Sequence, residues 1–291
     1  MSTQKSILII GCCAHGISTV LAQELTKRNH MVFIAVPDPS KVSKGISALA
    51  AVQTIALDPK SPASASSAAE AVGAATEERG IRGLDVLIND AGVGNSMALL
   101  DVIMDSSRDV YDARVSEALS MVGTFADLLA RRRGRVVNLS SSGVFIAAPC
   151  MGRLAALNAV FIVLTQYDTD TTENLSTKGA LTGLSDRLRL ELSPWDIDVT
   201  CAMLETMPSA TDSRSRVFFP QKTSYASFKE AISHWIPGTS RSDEGTLRSL
   251  VEWVLEDNVK DQTWLSTYFR GTAADDASKI EKGIITHPNA I

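Results

Sequence analysis

The sequence predicts a doubly wound parallel α/β sheet within a single domain. Short, continuous apolar runs such as Ser6–Ile10 and Leu84–Asn89 alternate along the chain with segments whose apolar residues recur at helical spacing. A strand without polar alternation is buried on both faces, which is typical of a parallel sheet covered by helices on each side. The 291 residues, 45% of them hydrophobic and 21% charged, suffice for one large domain of this class.

The predicted elements follow one another in a regular order. The expected strands are Ser6–Ile10, Met31–Val36, Val52–Leu57, Leu84–Asn89, Gly134–Ser140 and Ile197–Leu204. Helices are expected at about 16–28, 62–79, 106–132, 176–192 and 243–257, with a weak helix after the second strand. Ligands of such sheets bind beyond the carboxyl ends of the strands, so site residues are expected there.

The charge of the chain argues against nucleic acid as its main partner. The net charge is −5, whereas phosphate backbones are bound by basic surfaces. The one dense basic run, at 131–135, is predicted to be a solvated helix end, because cations suit a helix C-terminus.

The cysteines and the apolar runs set further limits. The four cysteines lack the C-x-x-C spacing of a zinc site and indicate no disulfide framework; they are Cys12, Cys13, Cys150 and Cys201. A reducing compartment fits this pattern. The apolar runs are too short for a signal peptide or a membrane span. We therefore expect a cytoplasmic protein without membrane contact and without a metal site.

One helix carries a lysine on its predicted buried face. Lys178 continues, towards the N-terminus, an apolar stripe that consists of Leu181, Leu184, Leu188 and Leu192. The helix dipole disfavours a cation at that end. Either the lysine stem lies along apolar surface with its ammonium group in water, or the ammonium group binds a ligand.

A glycine-containing turn follows the first strand and opens the first helix. Gly11 can make the tight turn, and Gly16 can let the backbone approach a pyrophosphate at the helix N-terminus. The fourth strand ends in small residues, in the sequence LINDAG at 87–92, as if to make room for a flat ligand. Alone, the G-x4-G spacing is weak evidence, but its position between strand and helix favours a nucleotide site.

Four motifs in this order resemble the short-chain dehydrogenase/reductase family, and their character is closest to its fungal members. They are GCCAHGIS at 11–18, NDAG at 89–92, GRVVNLSSSG at 134–143 and STKGALTGLSDRLRLEL at 176–192. The resemblance implies a Rossmann fold, bound NADP(H), a small-molecule substrate, and a homo-oligomer (dimer or tetramer) formed through the two long helices.

The resemblance also implies roles for particular residues. Ser141 would be the active-site serine, with Ser140 and Ser142 as alternatives, and Lys178 would hydrogen-bond the nicotinamide ribose. The implied cofactor-binding residues are Gly11, His15, Gly16, Ile17, Asp58, Asn89, Ala91, Gly92 and Lys178.

The end of the second strand bears on the choice of dinucleotide. An acidic residue there takes the ribose hydroxyl of NAD, and a basic one takes the additional phosphate of NADP. Asp38 lies near this position between two prolines, Lys41 follows closely, and His15 precedes Gly16. Two basic candidates, Lys41 and His15, stand against one acid that lies slightly away from the expected position, and this favours NADP(H). Taken singly, Asp38 and Lys41 are equally well explained as solvated turn residues.

The chain departs from the family at several positions. Asn174 stands where the family keeps its catalytic tyrosine, and Arg114 stands where it keeps an asparagine. Ser18 replaces the third glycine of the turn, and Leu204-Glu205 replaces a Pro-Gly pair. Asparagine cannot serve as a general acid, so the usual proton donor is missing.

The chain also contains additional residues between Ser141 and Lys178. The surplus lies at about 152–173, and an irregular substrate loop is expected at about 204–240. The surplus is either a lid that brings Tyr167, Asp168 and Asp170 near the nicotinamide or intron-derived sequence, which would also explain the missing tyrosine.

These departures resemble the fungal reductase/Diels–Alderases of bicyclo[2.2.2]diazaoctane indole alkaloid pathways, which share the Pro-Asp-Pro loop at 37–39. The resemblance implies reduction of an imine or iminium by NADPH, and a pocket that can steer a cycloaddition. Asp168 or Asp170 could stabilise the cation, and Arg114 could bind an amide carbonyl. Two alternatives remain open: an ordinary carbonyl reductase that uses Tyr167, and a non-catalytic NADP-binding protein.

Overall fold

The computed structural model describes the parts of the chain that form the sheet and most of its helices. The described residues are 4–11, 17–42, 44–47, 49–90, 109, 111–141, 177–204, 221–223, 226–228, 250–251, 254–255 and 267–269. The strands are β1 (Ser6–Ile10), β2 (Met31–Val36), β3 (Val52–Ala56), β4 (Val86–Asn89), β5 (Arg135–Ser141), β6 (Asp198–Leu204) and β7 (Thr267–Phe269). The α-helices are α1 (Ile17–Lys27), α2 (Lys44–Ser47), α3 (Pro62–Glu78), α4 (Glu117–Arg132) and α5 (Thr177–Leu192).

The seven strands of the described residues form one parallel sheet in the order β3-β2-β1-β4-β5-β6-β7. The order reverses direction between β1 and β4, because the chain builds outward from β1 to β3 and then from β4 to β7 on the other side. A crevice opens at such a switch point beyond the carboxyl ends of the strands. The predicted doubly wound parallel sheet is therefore confirmed.

The core lies on both faces of this sheet. In β1, Leu8 and Ile10 face the layer of α3, α4 and α5, whereas Ile7 and Ile9 face the layer of α1. Leu250 and Val251 belong to the second layer and are fully buried. Both faces of each central strand are thus removed from water, which explains the continuous apolar runs in the sequence.

Helix α5 buries three of the four leucines of the predicted stripe, and the fourth, Leu192, is partly buried. Leu181, Leu184 and Leu188 are buried, while Asp186 and Arg187 are exposed. The helix packs against β5 and β6, and it also contacts a short π-helical segment, Asp112–Ser116, that directly precedes α4. The sequence predicted one uninterrupted helix at 106–132, so the π-helical segment corrects that prediction.

The basic run at 131–135 divides into two parts. Arg131 and Arg132 end α4, where they pair with Glu77 and Asp85, and Arg133 caps the helix in the left-handed conformation. These three arginines form the predicted solvated helix end. Arg135 differs, because it begins β5, is buried, and lies 3.6 Å from Asp198. The prediction was wrong for Arg135 because one glycine separates the exposed helix end from a buried strand.

Gly134 provides the sharp transition between α4 and β5. A Cβ atom at this position would lie 2.5 Å from the backbone oxygen of Leu84 and 2.9 Å from that of Asp85. Such distances are too short for any side chain, so glycine is required where the chain passes the start of β4. The sequence did not predict β7, which has only three residues and lies at the edge of the sheet beside β6.

His30 is buried at the junction between α1 and β2. Its Nδ1 atom accepts a hydrogen bond from the backbone N–H of Lys5 at 3.1 Å, which requires an unprotonated nitrogen. Burial lowers the pKa of His30 below its ordinary value of 6.5, and the positive charges of Lys5 and Arg28 lower it further, while Asp85 opposes them.

We expect His30 to make the protein less stable in mild acid. Because its pKa is lower in the folded state, the unfolded chain binds more protons below pH 6.5. The free energy of unfolding should therefore be unaffected by this group above that pH and should fall as the pH drops below it. His30→Asn keeps a hydrogen-bond acceptor that does not titrate. Urea denaturation at a series of pH values below 6.5 measures the free energy of unfolding. This free energy should fall less steeply with decreasing pH in the variant than in the unaltered protein, and an equal slope would contradict the assignment.

Candidate active site

The carboxyl ends of β1, β4 and β5 meet at one edge of the sheet. Ile10 pairs with Asn89, and Asn89 pairs with Asn138. Gly11 leaves β1 with a φ of 91°, in the left-handed region where glycine is favoured. Ile17 begins α1, so the segment between Gly11 and Ile17 connects this edge to a helix N-terminus. A phosphate group is favoured at such a position.

Asp90 contacts both limbs of this turn. Its backbone N–H donates to the backbone oxygen of Ile10 at 2.9 Å. Its side-chain carboxylate accepts a hydrogen bond from the hydroxyl of Ser18, the second residue of α1. Ser18 is completely buried. The sequence predicted neither this contact nor a role for Asp90, although Ser18 stands where the family keeps a glycine.

A chain of buried polar side chains joins β4, β5 and α5. The amide nitrogen of Asn89 donates to Oδ1 of Asn138 at 2.8 Å, and the amide nitrogen of Asn138 donates to Oγ of Ser185 at 2.8 Å. The Ser185 hydroxyl donates to the backbone oxygen of Leu181 at 2.6 Å. Asn89 was predicted as a cofactor residue, whereas Asn138 and Ser185 were not identified from the sequence.

One buried oxygen of this chain, Oδ1 of Asn89, has no protein partner within the described residues. The hydroxyl of Ser140 is buried as well and lies against the thiol of Cys201. Unpaired buried oxygens are uncommon because they lose hydrogen bonds to water. Since Asn89 ends β4, its free oxygen lies at the sheet edge where a dinucleotide is expected, and a donor on a bound ligand fits it.

Asp38 is engaged in a local turn. Its Oδ1 accepts hydrogen bonds from the backbone N–H and the hydroxyl of Ser40, at 3.1 and 2.6 Å, and caps a short 3₁₀ helix at Pro39–Lys41. These bonds, that of the Ser40 hydroxyl first, hold the pKa of Asp38 below its usual value. The ammonium group of Lys41 lies 3.5 Å from the same carboxylate, and its side chain is 82% exposed.

Asp58 lies just beyond β3, and its side chain also shapes a turn. Its Oδ1 accepts from the backbone N–H of Lys60 at 3.0 Å, and its own N–H donates to the hydroxyl of Ser64 at 2.9 Å. Asp58 lies near enough to the start of α4 for its charge to affect the pKa of Glu117. Burial is the main cause that raises the pKa of Glu117, Lys60 opposes the rise, and Asp58 and Asp112 add to it.

Three further predicted residues are described only as backbone positions. Ser141 is the last residue of β5, Lys178 is the second residue of α5, and Arg114 is the middle residue of the π-helical segment. Helix α5 contacts both β5 and the π-helical segment, so the elements that carry these residues pack against one another. Single π-helical turns are frequent at functional sites.

Several predicted site residues lie outside the described residues. These are His15, Gly16, Ala91, Gly92, Asp168 and Asp170, together with the surplus at 152–173. In the described part of the chain, no three His, Cys, Asp or Glu residues lie close enough to hold a metal ion. Cys201 is buried beside Thr182, and burial raises its pKa to about 11, so it offers no thiolate near neutral pH.

Comparison with known families identifies the chain. The model of the short chain dehydrogenase family matches residues 5–165, which contain β1 to β5 and the turn after β1. The chain belongs to the short-chain dehydrogenase family. It is thus an oxidoreductase of a family that binds a nicotinamide cofactor.

Three fungal proteins, two dehydrogenases and one reductase, are similar to this chain. The short-chain dehydrogenase cctT of Talaromyces islandicus is 28% identical, over 73% of this chain and 66% of that protein. The short-chain dehydrogenase PC-15 of Penicillium crustosum is 27% identical, over 93% and 90%. The NADPH-dependent 1-acyldihydroxyacetone phosphate reductase of Schizosaccharomyces pombe is 25% identical, over 76% and 70%. The resemblance to fungal members that the motifs indicated is confirmed.

Solved structures agree with the fold. A short-chain dehydrogenase from Streptomyces avermitilis superposes with a TM-score of 0.68 at 18% identity, covering 97% of this chain and 95% of that one. RhlG of Pseudomonas aeruginosa, solved as a complex with NADP at the active site, gives a TM-score of 0.54 at 25% identity over 71% and 74% of the two chains.

We expect Asn138 to contribute more stability than its small size suggests. Asn138→Ala leaves the buried amide nitrogen of Asn89 without an acceptor, at a cost of about 2 to 4 kcal/mol, because buried unpaired polar groups and a small cavity both destabilise. Ser185→Ala also leaves a buried amide nitrogen, that of Asn138, without its acceptor, but it removes less side-chain volume and should cost about 1 to 2 kcal/mol. Urea denaturation measures both values, and equal small effects would show that the chain of amides contributes little.

Proposed function

We propose that this short-chain dehydrogenase is an NADPH-dependent reductase of fungal secondary metabolism that reduces an imine or iminium. The observation that carries the proposal is that the cofactor part of the site matches the family, whereas the catalytic part does not. The sheet edge keeps the family's cofactor features, including Gly11, Asn89 and the helix of Lys178, whereas Asn174 occupies the position of the family's proton donor. The domain is proposed to span 1–291, with 152–173 as an insertion and 204–240 as a substrate loop.

The arrangement of Asp38 and Lys41 supports NADPH over NADH. Oδ1 of Asp38 already accepts two hydrogen bonds from Ser40, and Oδ2 faces the ammonium group of Lys41, so this carboxylate is less available to a ribose hydroxyl than a free acid at the same position would be. The ammonium group of Lys41 is exposed and lies on the same turn, at the end of β2, where an additional phosphate would be recognised. The similar fission yeast reductase uses NADPH, and the RhlG structure contains NADP.

We expect NADPH to bind more tightly than NADH and to depend on Lys41. A charge-assisted contact to phosphate is worth about 1.5 to 3 kcal/mol, so Lys41→Ala should weaken NADPH about ten- to a hundredfold. NADH lacks that phosphate, and its affinity should change by less than about threefold. Titration calorimetry measures both dinucleotides.

Lys27→Ala is the matched control, because Lys27 is also exposed and pairs with an acid on its own helix, Glu24. It should leave both affinities unchanged. Equal loss of NADPH and NADH affinity in Lys41→Ala would contradict the phosphate contact, and tighter binding of NADH would refute the preference.

The substrate class follows from the missing acid. A bound reduced nicotinamide supplies hydride. When the acceptor is a ketone, negative charge develops on oxygen and a group of suitable pKa must donate a proton, which Asn174 cannot do. When the acceptor is an iminium, its positive charge is lost as the carbon–nitrogen π pair moves to nitrogen, and no proton is needed.

The residues that remain could serve this reaction. Asp168 or Asp170 would hold the cation before hydride transfer, and Arg114 would bind an amide carbonyl of the substrate. Ser141 and Lys178 would orient the nicotinamide ribose and the substrate. The same pocket could hold the reduced product in a folded shape that favours an intramolecular Diels–Alder cycloaddition, since orientation alone accelerates such reactions.

We expect turnover of cyclic imines, which take up a proton from water to become iminium ions before hydride transfer, and little turnover of unactivated ketones. Loss of a proton donor costs about 10²- to 10⁴-fold in rate, which should separate the two substrate classes clearly. Steady-state assays with NADPH on a panel of both classes measure the difference. Tyr167→Phe is the informative variant: rapid ketone reduction that this change abolishes would favour the carbonyl reductase alternative. NADPH binding without turnover of any substrate would favour a non-catalytic protein.

The outward faces of α4 and α5 support a homo-oligomer, either a dimer or a tetramer. Leu119 on α4 and Leu190 on α5 are 46% and 67% exposed, which is high for leucine. In the described part of the chain, no helix combines the length and the apolar character needed to cross a membrane. A cytoplasmic oligomer that acts on a small molecule, without nucleic acid or membrane, is the proposed form.

We expect light scattering at micromolar concentration to report a dimer or a tetramer. Leu190→Glu places a charge on the proposed contact and should shift the protein towards monomer. Ala71→Glu introduces the same charge on an exposed residue of α3 and should leave the assembly unchanged. A monomeric unaltered protein would refute the oligomer.

A further inference from the structure

Asp90 bridges the two limbs of the turn that follows β1. The departing limb is held by the hydrogen bond from the Asp90 N–H to the backbone oxygen of Ile10, at 2.9 Å. The returning limb is held by the hydrogen bond from the Ser18 hydroxyl to the Asp90 carboxylate. The chain leaves β1 at Gly11, and α1 begins at Ile17. One residue at the end of β4 therefore contacts both ends of the turn.

The burial of Ser18 makes this contact necessary. Its side chain is fully enclosed between α1 and the sheet, where a hydroxyl without a partner would be costly. A charged acceptor forms a stronger hydrogen bond than a neutral one. The N-terminal end of α1 also favours the negative charge of the carboxylate. The pair is thus stable in the protein without any ligand.

We infer that Ser18 and Asp90 are a matched pair of positioning residues, whose hydrogen bond holds the N-terminus of α1 against the ends of β1 and β4. The inference rests on the proposed cofactor site. The first turn of α1 would present its backbone N–H groups to the diphosphate of the cofactor, and binding requires those groups to point in one direction. Holding this helix end in place before binding removes an ordering cost from the binding free energy.

The diphosphate is common to NADPH and NADH, which gives the inference a specific signature. Loss of the Ser18–Asp90 hydrogen bond should weaken both dinucleotides by the same factor. This pattern differs from that of Lys41→Ala, which should affect NADPH alone. It also differs from a purely structural role, which would lower the melting temperature without a common change in affinity of the folded protein.

Titration calorimetry of the full-length protein with NADPH and NADH tests the pair. Ser18→Ala and Asp90→Ala should each weaken both dinucleotides by about tenfold. The double variant should lose about the same tenfold and not about a hundredfold, because either change alone already breaks the hydrogen bond. Asp90→Asn should stay within about threefold of the unaltered protein, since its carboxamide oxygen still accepts the Ser18 proton.

Two controls complete the experiment. Thr26→Ala removes a hydroxyl of α1 that bonds only to the Ala22 backbone oxygen among the described contacts, and it should leave both affinities unchanged. If Ser18→Ala fails to fold, the comparison of Asp90→Ala with Asp90→Asn still tests the hydrogen bond, because only Asp90→Asn keeps an acceptor for the Ser18 hydroxyl. Melting curves of each unliganded variant establish that binding is measured on folded protein.

The outcomes separate this inference from the proposed function. Additive losses in the double variant, loss of NADPH affinity alone, or an Asp90→Asn variant as weak as Asp90→Ala would overturn the inference while cofactor binding stands. An unaltered protein that binds neither dinucleotide would overturn the proposed function, and the inference with it.

Discussion

The candidate site depends on the two hydrogen bonds that the side-chain amide of Asn138 makes. This amide is completely buried, accepts from Asn89 on β4 and donates to Ser185 on α5, so three elements are joined through one side chain. Ser141 follows it on β5, and Lys178 precedes Ser185 by two turns of α5. A polar chain inside an apolar core specifies one register, because any slip would leave its members unpaired.

The parts of the fold that the sequence predicted are those with a strong local signal. β1, β2 and β4 are continuous apolar runs because helices cover both of their faces, and the stripe of α5 has a clear helical period. β7 has no such signal, since three residues at a sheet edge need neither length nor apolar character to pair. The register between strands is set by contacts that no single segment contains.

The side chains of the site were less predictable than its location. The position of Asp38 at the end of β2 was evident from the sequence, but its hydrogen bonds to Ser40 depend on the geometry of the turn. Arg135 looked like the arginines before it, although it is buried beside Asp198. The contact between Ser18 and Asp90 joins residues far apart in sequence, and the sequence did not predict it.

Charge distinguishes the possible reactions more sharply than the fold does. The proposed iminium substrate is cationic before hydride transfer, so a carboxylate such as Asp168 or Asp170 would stabilise its binding, while a cation at Arg114 would oppose it unless a substrate carbonyl lay between them. A ketone makes the opposite demand, because negative charge develops on its oxygen. In the proposed function the two departures would act together: Asn174 would leave a ketone without its proton donor, and Arg114 would bind the amide carbonyl of a substrate whose nitrogen is cationic. A protonated cyclic imine fused to an amide ring would have that combination of groups, so the missing tyrosine and the additional arginine favour the same proposed substrate class.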